Sequence, residues 1–135
     1  MTISKHLGSC HCGAVRFAVE LDLPTARVSR CNCTVCTKIA QVGAIVKPAA
    51  FHLLAGEPTL STYVWGHKVS TRYFCSVCGV HAFAKGHLEV LGGDYVSVNL
   101  NCLDEVDVGA LPLVYWDGRH DNWMAGARDT PWPTA

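Results

Sequence analysis

The chemistry of this chain is concentrated in its cysteines. Seven of the eight fall into three short motifs, Cys10-His11-Cys12, Cys31-Asn32-Cys33-Thr34-Val35-Cys36 and Cys75-Ser76-Val77-Cys78, while Cys102 stands apart. Thiols so close together either cross-link or hold metal. Tetrahedral zinc, with Zn–S near 2.3 Å, needs sulfurs roughly 3.8 Å apart. Two cysteines separated by two residues reach that spacing in a tight turn. Two separated by one residue reach it on a strand, where positions i and i+2 point the same way.

Seven thiols divide as four and three. Four ligands close a structural zinc site, and three leave a coordination position for water or a small ligand. The two pairs make the four: Cys10, Cys12, Cys75 and Cys78. The trio Cys31, Cys33 and Cys36 makes the three, giving two Zn²⁺ per chain. Spacing leaves another grouping open, because the first pair is the trio's neighbour in sequence. The competing interpretations are a disulfide framework, which eight cysteines would also permit, and a single zinc with spare buried thiols. Cys102, in Asn101-Cys102-Leu103-Asp104, reads as a small buried hydrophobe, with a ligand or reactive thiol near the open zinc as the alternative.

The elements that must position these motifs are short strands. Residues 14–21 are rich in strand formers and stop at Asp22-Leu23-Pro24. Residues 27–30 feed the trio, and 34–40 take a helical turn behind it. Residues 43–47 form a strand ended by Pro48. Residues 51–54 and 60–65 read as a hairpin-like pair around Ala55-Gly56-Glu57-Pro58. Residues 70–74 enter the second pair and 80–84 leave it, so that pair caps a turn in the manner of a zinc ribbon. Residues 95–100 alternate, 113–116 form a last strand, and 120–127 a second short helix. No amphipathic helix of three or more turns is present. The expectation is a single mainly β domain over residues 1–135, with metal-pinned turns and little helix.

Composition narrows the function classes. Half of the 135 residues are apolar, and 11 basic side chains balance 11 acidic ones, which favours a compact domain over a disordered segment and argues against nucleic acid or an anionic membrane as partner. No apolar run approaches the roughly 18 residues of a membrane span. The opening Met-Thr-Ile-Ser-Lys-His lacks the apolar stretch of a secretory leader, which predicts a cytoplasmic protein. Thiols stay reduced there, so metal is favoured over disulfides. The oligomeric state is not legible.

Three motifs in order carry a resemblance that spans nearly the whole chain. Gly8-Ser9-Cys10-His11-Cys12-Gly13-Ala14-Val15-Arg16-Phe17, the Cys31–Cys36 cluster about twenty residues on, and Phe74-Cys75-Ser76-Val77-Cys78-Gly79 resemble the glutathione-dependent formaldehyde-activating enzyme family. Residues 78–83 and 98–105, with Asp117-Gly118 and Asn122-Trp123, look like its centromere protein V branch, known for chromatin association. The resemblance implies a β-tent fold, a structural zinc on Cys10, Cys12, Cys75 and Cys78, and a catalytic zinc on Cys31, Cys33 and Cys36. The trio departs from the relatives' Cys-His-Cys-Ser-x-Cys-Arg-Lys pattern. Asn32 replaces the histidine and Thr37 the arginine, while Lys38 remains, so fewer basic groups stand ready for a glutathione carboxylate.

Two functions compete at this point. The first is a zinc-dependent carbon–sulfur lyase, making or breaking the bond between a small glutathione-like thiol and an aldehyde such as formaldehyde. Coordination lowers the thiol pKa, and a proton must move at the hydroxyl. His81, directly after the second pair, is the favoured acid–base group, ahead of His11, Lys38 and Asp104. The second is a non-catalytic zinc-stabilised binding module of the centromere protein V kind. Trp65, Tyr73, Trp116, Trp123 and Trp132 could give it a surface, although aromatics at strand spacing more often pack in a core. The balanced charge and the lack of a long basic arm favour the enzyme.

Overall fold

A computed structural model describes residues 3–66 and 69–135. The strands are β1 (Ser4–Ser9), β2 (Arg16–Leu21), β3 (Val28–Cys31), β4 (Gly43–Val46), β5 (Phe51–Ala55), β6 (Leu60–Tyr63), β7 (Ser70–Cys75), β8 (His81–Leu88), β9 (Gly93–Asn99) and β10 (Leu113–Trp116). They form a three-stranded sheet in the order β1-β2-β5 and a seven-stranded sheet in the order β10-β3-β4-β9-β8-β7-β6. One short α-helix, α1 (Thr34–Lys38), is present among the described residues, with isolated 3-10 turns elsewhere. The expected mainly β architecture with little helix is what the chain adopts.

The core lies between the sheets. Side chains alternate along a strand, and β2 turns Phe17, Val19 and Leu21 inward, all buried. Phe17 stacks on Phe51 at 5.4 Å, Phe51 meets Phe83 at 4.6 Å, and Phe83 stacks on Tyr73 at 4.8 Å. These rings run from the small sheet through to the large one. Full burial of one such ring is worth about 2–3 kcal/mol. In the large sheet the core-facing row is Tyr73–Phe83–Val98–Ala44, paired side by side across four strands. The next row, Arg72–Ala84–Ser97–Ile45, is offset by one residue on each strand and therefore faces the other way.

Two sequence expectations are corrected, and one strand was not anticipated. Residues 51–54 and 60–65 do not form a hairpin: β5 pairs with β2 in the small sheet, and β6 pairs with β7 in the large one. The connection crosses between sheets at Gly56, whose φ is +92° and where a Cβ would collide with the Ala14 carbonyl and lie 2.8 Å from Val15 Cα. Residues 120–127 form no α-helix. Two 3-10 turns, Gly118–His120 and Trp123–Ala125, flank Asp121, and its φ of +52° breaks the helical path. Finally β1, whose exposed, polar sequence gives little strand signal, pairs with β2 along its full length.

Candidate metal centres

The turn between β1 and β2 carries Cys10 and Cys12. The Cys10 N–H donates to Val15 O at 3.0 Å and the Gly13 N–H to Cys10 O at 3.2 Å, which closes the turn. Cys75 ends β7, and Cys78 sits in the turn before β8, closed by Cys75 N–H to Val80 O at 3.0 Å and Gly79 N–H to Cys75 O at 2.8 Å. These two turns, one from each sheet, bring four sulfurs within 4.8 Å of one another. Cys12 Sγ lies 3.7 Å from both Cys10 Sγ and Cys75 Sγ, close to the ~3.8 Å of tetrahedral thiolate zinc.

Main-chain amides supply this cluster's positive potential. Val15 N–H donates to Cys10 Sγ at 3.3 Å, and Val77 and Cys78 N–H donate to Cys75 Sγ at 3.4 and 3.5 Å. Donors aimed at a sulfur favour its thiolate. The amides of Cys12 and Val80 lower the Cys78 thiol to about 6, and the Cys78 amide leads in lowering Cys75.

The second cluster gathers Cys31 at the end of β3, Cys33 at the N-cap of α1 and Cys36 inside it, with all three sulfurs within 4.8 Å and half-buried. No fourth Cys, His, Asp or Glu joins them among the described residues. The acidity is divided unevenly: hydrogen bonds with Cys31 and Cys36 pull the Cys33 thiol far down, whereas those with Cys31 and Cys33 push Cys36 far up. Three sulfurs this close cannot all ionise unless a cation joins them. All-sulfur donors at this spacing fit a thiophilic metal ion at both clusters.

Asn32, between two of the trio, is buried and fully engaged. Its Nδ2 donates to Asp117 Oδ1 and to Pro133 O, both at 2.7 Å, and its Oδ1 accepts from the Arg119 amide at 2.9 Å. Arg119 Nε donates to Asn32 O at 2.9 Å. Burial works against the Asp117 carboxylate, but hydrogen bonds from Asn32, His120 and Asn122 outweigh it and hold the carboxyl below its ordinary value. The 117–123 loop is thereby drawn onto the trio. A Cβ at Gly118 would sit 2.5 Å from Cys31 Sγ, so this position tolerates no side chain without displacing the sulfur.

Arg72 approaches from the large sheet, on the face away from the core, and its Nη2 donates to Cys36 Sγ at 3.6 Å. His81 lies nearby, stacked on Phe74 at 5.0 Å. Arg72 Nε and His81 Nδ1 are buried without a hydrogen-bond partner among the described residues. Burial, then the Arg72 charge, lowers the His81 pKa. On another side, a cavity of about 410 Å³ borders Cys31 and Cys36, with Arg30, Tyr115 and Trp132 among its walls.

The structure thus gathers the cysteines as four and three, and His81 lies close enough to Arg72 to feel its charge. It leaves His11, Lys38 and Asp104 exposed. Cys102 joins neither cluster. It is buried, its thiol donates to His81 O at 3.6 Å, and burial raises its pKa to about 11, so it is the small buried side chain that its isolation suggests. Among the aromatics, Tyr73 packs on the core, whereas Trp65 and Trp123 are exposed. Sequence reasoning missed Arg72 and the role of Asp117. Arg72 lies 36 residues from its sulfur partner, and its one local signal is an arginine inside the aromatic strand Thr71-Arg72-Tyr73-Phe74.

Residues 5–116 match the glutathione-dependent formaldehyde-activating enzyme family. The chain belongs to that family. Among solved structures, a crystal structure of a Rhodobacter sphaeroides protein, a Northeast Structural Genomics target, is similar with a TM-score of 0.69 and 29% identity, covering 82% of this chain and 98% of that one. No helix among the described residues is long and apolar enough to cross a membrane.

Proposed function

We propose that the chain binds two zinc ions and catalyses formation or cleavage of the carbon–sulfur bond between a small thiol and an aldehyde such as formaldehyde. The observation that carries this reading is the three-sulfur cluster without a fourth ligand among the described residues, touched by Arg72, with His81 near that arginine and held toward its neutral form. Membership of a family named for glutathione and formaldehyde supports it. Zinc at Cys31, Cys33 and Cys36 would supply a Lewis acid that holds an incoming thiol as its thiolate.

The protein's own residues supply the rest. In the forward direction a sulfur lone pair forms the bond to the aldehyde carbon, the carbonyl π pair moves to oxygen, and the proton released by the thiol ends on that oxygen. His81, held below its usual pKa, is largely neutral near pH 7 and can take up and return that proton. Arg72 offers a fixed positive charge to the oxygen as it becomes negative. Asn32, Asp117 and Arg119 hold the segment that carries Cys31 and Cys33. The cytoplasmic expectation fits this chemistry, because reduced low-molecular-weight thiols are available there.

Exchange spectroscopy with ¹³C-formaldehyde and a panel of small thiols tests the reading. The zinc-loaded protein should speed exchange between free aldehyde and hydroxymethyl thioether above the spontaneous rate for at least one thiol. Cys33→Ser should abolish the acceleration. Exchange at the spontaneous rate with every thiol would refute the enzymatic reading.

A further inference from the structure

The two clusters hold their negative charge differently. Four thiolates with one divalent ion carry −2, and three carry −1. Around the four-cysteine cluster, main-chain N–H groups point at Cys10 and Cys75. Around the trio amides contribute as well, Cys33 N–H to Cys31 Sγ at 3.5 Å and the Cys36 amide to Cys33, and the full charge of Arg72 stands on Cys36 besides. No carboxylate lies within ion-pair distance of Arg72 among the described residues. A half-buried guanidinium normally has an anionic partner. Here the thiolates are the only one in contact, and Nε is left over.

We infer that Arg72 is the residue that selects the trio's ligand, by receiving a carboxylate joined to the ligand's sulfur through one carbon. The inference rests on the thiol-binding reading above and adds the substrate class to it: a thiol carrying a carboxylate one carbon from its sulfur. The first support is position. Arg72 touches Cys36, so a group joining the cluster on the sheet side meets the guanidinium. The second is charge: one arginine neutralises the three-thiolate site, so an additional anion is admitted without net repulsion. The third is geometry. A guanidinium is a planar fork of five donors, and contact with Cys36 uses one nitrogen of it.

Mercaptoacetate presents this arrangement as a stable molecule, and its methyl ester removes the charge at almost unchanged shape. With cobalt in place of zinc in the full chain, the visible spectrum of the trio reports ligand binding. The parent protein should bind mercaptoacetate at least about tenfold more tightly than the ester, the low end for a charge-assisted hydrogen bond. Arg72→Gln should erase that ratio, and Arg72→Lys should keep part of it. The cobalt spectrum of the four-cysteine site serves as the control for folding in each variant, and if Arg72→Gln fails that control the Lys variant and the parent ratio decide. Arg30→Gln, on the cavity side, should leave the ratio unchanged. An unaltered ratio in Arg72→Gln, an absent preference in the parent, or loss of the ratio in Arg30→Gln instead would overturn the assignment while leaving thiol binding intact. Failure of both thiols to change the parent spectrum would remove the thiol-binding reading and this assignment with it.

Discussion

Replacing Asn32 with alanine should damage both stability and the second metal centre. The side chain makes three hydrogen bonds, to Asp117 Oδ1, to Pro133 O and from the Arg119 amide. A neutral bond contributes about 1 kcal/mol net, and one to a charged partner about 1.5–3 kcal/mol. Asp117 retains His120 at 2.6 Å and Asn122 at 3.2 Å, so its buried carboxylate is not left bare. Water can reach Pro133, which is exposed. These offsets bring the expected loss to about 3 kcal/mol, or about 10 °C in the melting temperature for a chain of this size. Because Asn32 sits between Cys31 and Cys33, loosening it should also weaken metal retention at the trio by roughly 10–100-fold, the usual effect of removing a group that orients ligands.

Thermal melts of the metal-loaded protein and competition with a chromophoric chelator measure the two effects. Asn122→Ala is the control: it removes one bond to the same carboxylate and should cost about 1.5 kcal/mol, with little effect on metal retention. If Asn32→Ala melts within about 2 °C of the parent and holds both ions equally well, the Asn32–Asp117–Arg119 network does not support the trio.

Four further outcomes are expected. Metal analysis of the purified chain should give about two zinc ions; one ion with the trio's thiols free to react would exclude the second centre. Cys75→Ser should cost far more soluble protein than Cys33→Ser, and equal losses would contradict separate roles. Gly118→Ala, by forcing a methyl group to 2.5 Å from Cys31 Sγ, should lower metal retention at the trio selectively, as chelator competition would reveal. His81 should titrate below the ordinary ~6.5 by NMR of the zinc-loaded protein, since burial and Arg72 disfavour its charged form. The unfolded chain then binds the proton more readily than the folded one, so stability falls as pH drops from ~6.5 to the folded pKa. His81→Gln should flatten the slope in that window, and an unchanged slope would assign it to other groups.

Much of this arrangement was legible because cysteine spacing is a local property. Cys31, Cys33 and Cys36 belong to one strand end and one helix turn, so their gathering follows from five consecutive peptide units. The strands β2, β4 and β9 are read from strand-forming residues, alternation and breakers, which are equally local. What sequence could not supply was cross-chain placement. Two neighbouring strands such as β5 and β6 read as a hairpin until the close approach of Gly56 to Ala14 sends them into different sheets. Arg72 reads as one more strand residue until the order β4-β9-β8-β7 carries it to the trio. Asn32 reads as a loop residue until the C-terminal loop folds back onto it.

The same distinction between local and distant explains why the two clusters should differ in what they do for the fold. Cys10 and Cys12 belong to the turn between two strands of the small sheet, and Cys75 and Cys78 flank the β7–β8 turn of the large one. The sulfur contact from Cys12 to Cys75 spans 63 residues. A metal bound there ties the sheets together at the end of the aromatic core, and its binding free energy, about 10 kcal/mol or more in small zinc domains, enters the stability of the whole molecule. The trio closes only the short segment from the end of β3 into α1, on the face of the large sheet that carries no core. Emptying it should therefore leave the pairing of both sheets in place. That separation would suit the reactive centre proposed above: a metal there could exchange one ligand for another, while the four-sulfur clasp kept Arg72 and His81 in position on a framework that did not depend on the exchange.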